Sequence, residues 1–448
     1  MASIVTTSLS IALLGFLTAQ PRPAAADPYQ IDASWVESGA QIRPEVDFVF
    51  RRIDYVPGRG TVMLADSLVL RVQRNRPYVI LGWPRHRQGA ESGAEAVAAL
   101  GEDGLVFAGY QRSAVPGAYL RLRSRGRWTS LPLPWLAERR GADQRRWAFG
   151  ALATGPGGRL YAWLTNGPEV WRKGEGLRPR SSLAELREPT CPLFVLEGES
   201  WRQLPPPIDQ RPYRVAAMCS LGTGRLWLAA TSYEVGSSGI ESSRGFLAAY
   251  DGQDWRRYAP PQPFEQSSRS WQASLLACAR DGSVWMSAVA NRFSDDGRLL
   301  GASLDESGEA LLGFAEGRWS ITPPLPARVF LPERPPSRQR VKLSALAADD
   351  VGRPWVAYAS EGLTTERLFR LEGGSWRGFD APPVPATSRY TIKGMAFDEE
   401  GRGWAVAEGR GEGPFYRGIL LTLDGERWTH RNWTWSRWQQ RGFGLFGP

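Results

Sequence analysis

The sequence predicts an all-β fold, a seven-bladed β-propeller of four-stranded antiparallel blades, and three regularities carry that prediction. A glycine is followed three residues later by an aromatic side chain at Gly104/Phe107, Gly158/Tyr161, Gly224/Trp227, Gly282/Trp285, Gly352/Trp355 and Gly401/Trp404. After a variable gap each pair is followed by a second glycine and a tryptophan: Trp128, Trp201, Trp255, Trp319, Trp376 and Trp428. Proline clusters then stand at 131–134, 204–207, 259–263, 322–326 and 381–385. A supersecondary unit repeated in this way dictates a repeat architecture, because one unit cannot bury its apolar face alone.

The unit around Gly224 shows the parse. Tyr213 to Ser220 reads as an inner strand, followed by a glycine turn and a second strand carrying Trp227. A Gly- and Ser-rich loop leads to a third strand, Phe246 to Tyr250, and an Asp251-Gly252 turn leads to a fourth strand carrying Trp255. Short strands joined by tight turns form an antiparallel blade. The same parse fits five other units, and a degenerate one precedes them at "VDFVFRRIDYVPGRGTVMLAD", "SLVLRVQ" and "RPYVILGWP", which brings the expected count to seven. Inner strands rich in Ala, Gly, Ser and Cys suit the crowded axis, and the recurring aromatics suit packing between neighbouring sheets. The proline clusters mark outer edges that lack the N–H groups a further strand would need.

The pattern D-x-x-G-x-x-W followed by a strand and G-x-W resembles the regulator-propeller repeat of exported two-component sensor domains. It is similar, more distantly, to the streptogramin-lyase propellers. The resemblance covers roughly residues 46–435 and operates at the level of fold, so it implies no individual site residue. In the sensor family such propellers precede a membrane helix and a kinase; here the expectation is a stand-alone module.

Residues 1–26 read as a secretory signal, with an apolar run from Ile11 to Ala19 and small residues at Ala24 and Ala26. Residues 27–45 form an N-terminal segment, 46–435 the propeller and 436–448 a C-terminal tail. The tail and the Trp- and Arg-dense stretch before it are expected to brace the last blade against 27–45. The expectation is a secreted or periplasmic monomer with no integral membrane span. Lys and Arg total 55, and only Lys173, Lys342 and Lys393 are lysines. The three cysteines, Cys191, Cys219 and Cys278, are too few for a disulfide framework and too scattered for a metal cluster. Counted from their turn glycines, Cys219 and Cys278 differ by one position and so fall on opposite faces of their strands; buried free thiols are expected, with a single bridge as the alternative.

One face of the ring is the candidate site. The connectors between blades, at 84–95, 135–146, 208–214, 262–270, 327–342 and 386–393, hold 16 Lys plus Arg against 7 Asp plus Glu, which matches the whole chain's net charge of +9. Eleven residues before the turn glycine, at the start of the inner strand, stand Trp147, Tyr213, Trp271 and Tyr390, with Val341 at the same place in another unit. Arg146, Arg214, Arg340, Lys342 and Arg389 flank these positions. Guanidinium groups interleaved with aromatic faces are equipped for anionic or sugar-like ligands. The predicted ligand is an anionic glycan or a partner protein.

Insertions on the same face, such as 232–245 and 291–309, are neutral to acidic. Asp295, Asp296, Asp305, Glu306 and Glu309 lack the alternating spacing of a calcium loop, so no metal or other cofactor is expected. Nucleic acid is disfavoured, because acids on this face offset much of its basic charge. The alternative function is a propeller lyase or hydrolase using His86 as acid–base residue with Glu91 or Glu95, although no nucleophile elbow, metal trio or phosphate loop accompanies it.

Overall fold

The structure is a computed structural model. It describes residues 29–31, 50–57, 59–65, 69–73, 76–80, 91–112, 117–125, 127–133, 147–166, 192–208, 212–221, 224–235, 240–261, 271–290, 309–323, 341–360, 367–380, 382–384, 387–411 and 416–432. The described regular structure is almost entirely strand.

The first sheet contains β1 (Tyr29–Ile31), β2 (Phe50–Val56), β3 (Gly60–Ala65), β4 (Val69–Gln73) and β5 (Arg76–Ile80). Six four-stranded sheets follow. They are β6 (Glu91–Leu100) to β9 (Arg127–Ser130), β10 (Trp147–Thr154) to β13 (Ser200–Gln203), and β14 (Tyr213–Cys219) to β17 (Trp255–Tyr258). The remaining three are β18 (Trp271–Cys278) to β21 (Arg318–Ile321), β22 (Val341–Ala348) to β25 (Ser375–Asp380), and β26 (Thr387–Phe397) to β29 (Arg427–Asn432). Within each of the six, strands pair in chain order and antiparallel, as a propeller blade requires.

The expectation of seven four-stranded antiparallel blades is therefore corrected to six. The first sheet is five-stranded and mixed, because β1 adds to β5 in parallel register, Tyr29 opposite Tyr78. Residues 29–31 thus meet β5; the expected partner segment at 433–448 lies outside the described residues, as does the signal-like stretch 1–26. No helix among the described residues is long and apolar enough to cross a membrane.

Each glycine turn enforces one hairpin between an inner and a second strand. Gly158, Gly224, Gly282, Gly352 and Gly401 all have positive φ, between 67° and 87°, where a Cβ would clash with its own backbone. In the unit at Gly104 the turn conformation belongs to Gly101 instead, at φ 65°, and Gly104 opens the second strand. Second strands such as Leu226–Ala230 and Pro354–Tyr358 read as continuous apolar runs because neighbouring sheets cover both of their faces. Trp227 packs between its own blade and the next, against Phe314 at 5.7 Å, and Trp355 meets Phe397 and Trp428 of the following blade at 5.3 and 5.8 Å.

The proline clusters do more than blunt an edge. The indole N–H groups of Trp201, Trp255 and Trp376 donate to the carbonyls of Pro132, Pro205 and Pro323 at 2.8, 2.9 and 3.1 Å, in each case reaching back to the preceding blade. Proline ends the outer strand by withholding an N–H, and its carbonyl remains free to accept this bond. At the last blade the place is taken by Tyr390, whose hydroxyl donates to the Pro382 carbonyl at 2.9 Å.

Among the described residues the ring closes by packing of the last blade against the first sheet. β26 and β27 (Gly403–Gly411) lie against β2, where Gly394 approaches so closely that an added Cβ would sit 3.1 Å from Ile53 Cγ2. Just below, the Tyr55 hydroxyl donates to Glu399 at 2.5 Å.

Candidate functional site

Every inner strand carries a one-residue register shift against its second strand at about the same level. The shifts fall between Phe50/Arg52, Ala94/Ala96, Phe149/Ala151, Val215/Ala217, Ala273/Leu276, Leu343/Ala345 and Ile392/Gly394. Such bulges raise the local twist and re-aim the residues around them. They divide the axis into an upper mouth, where inner strands begin, and a lower mouth at the glycine turns.

The upper mouth is where the predicted residues fall. Tyr213, Trp271 and Tyr390 occupy equivalent register positions and are 5 %, 3 % and 5 % exposed. Each ring wedges against the preceding blade. Trp271 lies on the backbone of Gly245, where an added Cβ would fall 2.2 Å from the indole, and Tyr213 joins Trp163 and Leu193 in one core cluster. Arg214, the next residue along β14, is exposed. Trp147, Lys342 and Arg389 lie in β10, β22 and β26, where only the backbone is described; Arg146, Arg340 and His86 lie outside the described residues, as do Cys191 and the acidic stretch 294–308.

Two further features of this end were not legible as motifs. The segment 232–245, expected as a loop, is mostly a strand ribbon: β15 (Leu226–Val235) and β16 (Ile240–Tyr250) stay paired as far as Val235 opposite Ile240, beyond the level where β14 begins. Its neighbour is tied on by Thr231, whose hydroxyl accepts from the Ala273 N–H of the next blade at 3.1 Å. At the level of the bulges, burial pushes the Tyr119 phenol well above its ordinary range, and the charge of Glu95, the bulge residue of β6, adds to the shift.

The lower half of the axis holds a cavity of about 170 Å³ lined by all seven inner strands. A disulfide between Cys219 and Cys278 forms part of its wall, with Cα atoms 5.9 Å apart. This corrects the expectation of free thiols. The reading that the two cysteines point to opposite faces of their strands is sound, but in a ring the opposite faces of adjacent blades look at each other, so the arrangement brings the two sulfurs together.

At the lower mouth two turns repeat one geometry, with an aspartate as cap. Asp349 Oδ1 accepts from the N–H groups of Val351 and Arg353, and its Oδ2 accepts from the Arg353 guanidinium at 2.8 Å and the Trp355 indole at 3.2 Å. Asp398 repeats the pattern with Glu400, Arg402 and the Arg402 guanidinium. Among the described residues no group of three or more His, Cys, Asp or Glu is placed to hold a metal ion.

No protein-family model matches the sequence, and no curated protein matches it. Solved structures do. An ulvan lyase from a new polysaccharide-lyase family is 14 % identical over 76 % of this chain and 85 % of its own, with a TM-score of 0.45. A puromycin-hydrolysing peptidase of Mycobacterium tuberculosis is 12 % identical over 87 % of this chain and 53 % of its own, at 0.47. The β-propeller domain of the Trilobed protease from Pyrococcus furiosus is 9 % identical over 86 % of this chain and 97 % of its own, at 0.46. At such identities and scores these likenesses carry no argument about chemistry. The propeller rests on the sheets themselves.

Proposed function

We propose that this chain is an exported binding module of the regulator-propeller kind, and that it holds an anionic glycan on the face where its inner strands begin. Arg214 carries the reading. Its neighbour Tyr213 is wedged into the core, so the ring anchors this stretch of backbone and leaves the guanidinium to solvent. Arg146, Arg340, Lys342 and Arg389 stand beside the same register position in other units. A guanidinium meets a carboxylate or sulfate through two parallel hydrogen bonds. Several such groups on separate blades favour a polyanionic chain over a single small acid, because each further contact is intramolecular once the first has formed.

In this reading Tyr213, Trp271 and Tyr390 serve the site by fixing the starts of their strands. Export is supported by the Cys219–Cys278 disulfide, since such bonds persist in oxidising compartments. The test is retention on an array of uronate, sulfated and neutral glycans. The native protein should be held by the charged glycans only. Combined Arg146→Ala, Arg214→Ala, Arg340→Ala and Arg389→Ala should abolish retention, and equal retention of that variant would refute the site.

A further inference from the structure

The lower mouth gathers a second group of charged side chains, on residues different from those of the upper mouth. Two residues before the turn glycine, the β22 and β26 blades place an acid, Asp350 and Glu399, and each reaches the neighbouring sheet. Asp350 lies against Gly401, where an added Cβ would be 2.8 Å from its Oδ1, and Glu399 accepts from Tyr55. In the β18 blade the same position is Arg280. Its guanidinium lies over the Tyr55 ring, 4.7 Å from the centroid, so the side chain spans the mouth from the β18–β21 blade to the first sheet. Its Nη2 is buried and has no hydrogen-bond partner among the described residues.

All but one of the acids around this cavity are already engaged. Asp349 and Asp398 are held by their own turns and by Arg353 and Arg402, and Asp54 lies 2.6 Å from Arg52. Glu399 is taken by the Tyr55 hydroxyl. Arg280 and Asp350 line the cavity without an ion pair among the described residues. A buried guanidinium N–H that lacks an acceptor is costly, and an anionic oxygen is the acceptor that relieves it best. The adjacent wall is apolar, formed by Met218, Leu276, Leu346, Met395 and the disulfide.

We propose that the lower mouth binds a small organic carboxylate, with its acid group on Arg280 and its apolar body against Leu276, Leu346 and Met395. The cavity, about 170 Å³, takes one such molecule and not a polymer. Asp350, which lines the same cavity and has no ion pair among the described residues, disfavours di-acids.

The test is calorimetric titration of the full, oxidised chain with benzoate, benzyl alcohol and inorganic phosphate. Benzoate should bind saturably, one per chain; the uncharged alcohol and the phosphate, which lacks an apolar body, should each bind at least tenfold more weakly. Arg280→Gln should weaken benzoate tenfold or more while leaving retention on anionic glycans unchanged, which separates this site from the upper one. Asp350→Asn, which removes the unpaired acid without touching Arg280, should tighten benzoate severalfold and keeps the test open if the arginine variant does not fold. No saturable benzoate binding, equal binding of phosphate, or unchanged affinity in either variant would overturn the proposal.

Discussion

Removing the Cys219–Cys278 bond should weaken the ring measurably, and the structure sets how much. The bridge joins the ends of two adjacent inner strands and closes a loop with a sequence separation of 59 residues. For a loop of that length the chain-entropy relation gives a stabilisation of about 4 kcal/mol. An unfolding entropy of roughly 2 cal/mol/K per residue over the whole chain converts this into a fall in Tm of about 4–5 °C, provided the ring melts as one unit. The double variant Cys219→Ser, Cys278→Ser should show that fall by differential scanning calorimetry, and reductant should lower the Tm of the native protein by a similar amount without affecting the variant. Alkylation of the native, denatured but unreduced protein should modify one cysteine of three, Cys191. Three modified cysteines in protein taken from an oxidising compartment, or a Tm indifferent to reductant, would refute the bond and with it the reasoning that opposite faces of neighbouring blades meet.

Gly352→Ala should destabilise more than Gly317→Ala in urea unfolding. Both glycines have φ near 80°, at a backbone cost of about 1–2 kcal/mol for a side chain. Only Gly352 would also drive a Cβ to 2.3 Å from Asp281 Oδ2, a carboxylate pinned by Ser283, whereas nothing lies within 4 Å at Gly317; equal losses would mean that the turn-to-turn contact is slack. Acid should loosen the seam between the last two blades. A hydrogen bond from the Arg377 guanidinium holds the Glu426 carboxyl below its ordinary value of 4.5, so its contribution is complete above that pH and is lost as the pH falls through the lower, folded-state value. Glu426→Gln should therefore lower Tm at pH 7, and the gap to the native protein should shrink as the pH is taken below 4.5; a gap that stays constant on acidification would contradict the assignment.

Blade architecture was legible because its signals are local and repeated. Gly352 and Gly401 need positive φ, the second strands must be apolar on both faces, and Trp201, Trp255 and Trp376 recur with a proline cluster one blade earlier. Features that depend on how units face one another were not. The parallel addition of Tyr29–Ile31 to β5 joins two segments with no shared motif. The disulfide follows from the handedness of the ring, which strand alternation alone does not encode. Starting aromatics such as Tyr213 and Trp271 sit where the count from the turn glycine puts them, but their burial is decided by close approach to the previous blade, at Gly245 for Trp271. Arg280 did have a signal, a base where the next two units carry Asp350 and Glu399 two residues before the turn, and its meaning emerges only with Tyr55 beneath it.

Recognition of an anionic glycan by the basic ring face can be read by native affinity electrophoresis. Mobility of the oxidised protein should be retarded in gels containing polygalacturonate, with relief by added salt, and should be unchanged by neutral dextran at the same concentration. Equal mobility in the two gels would mean that the basic face does not bind anionic glycans.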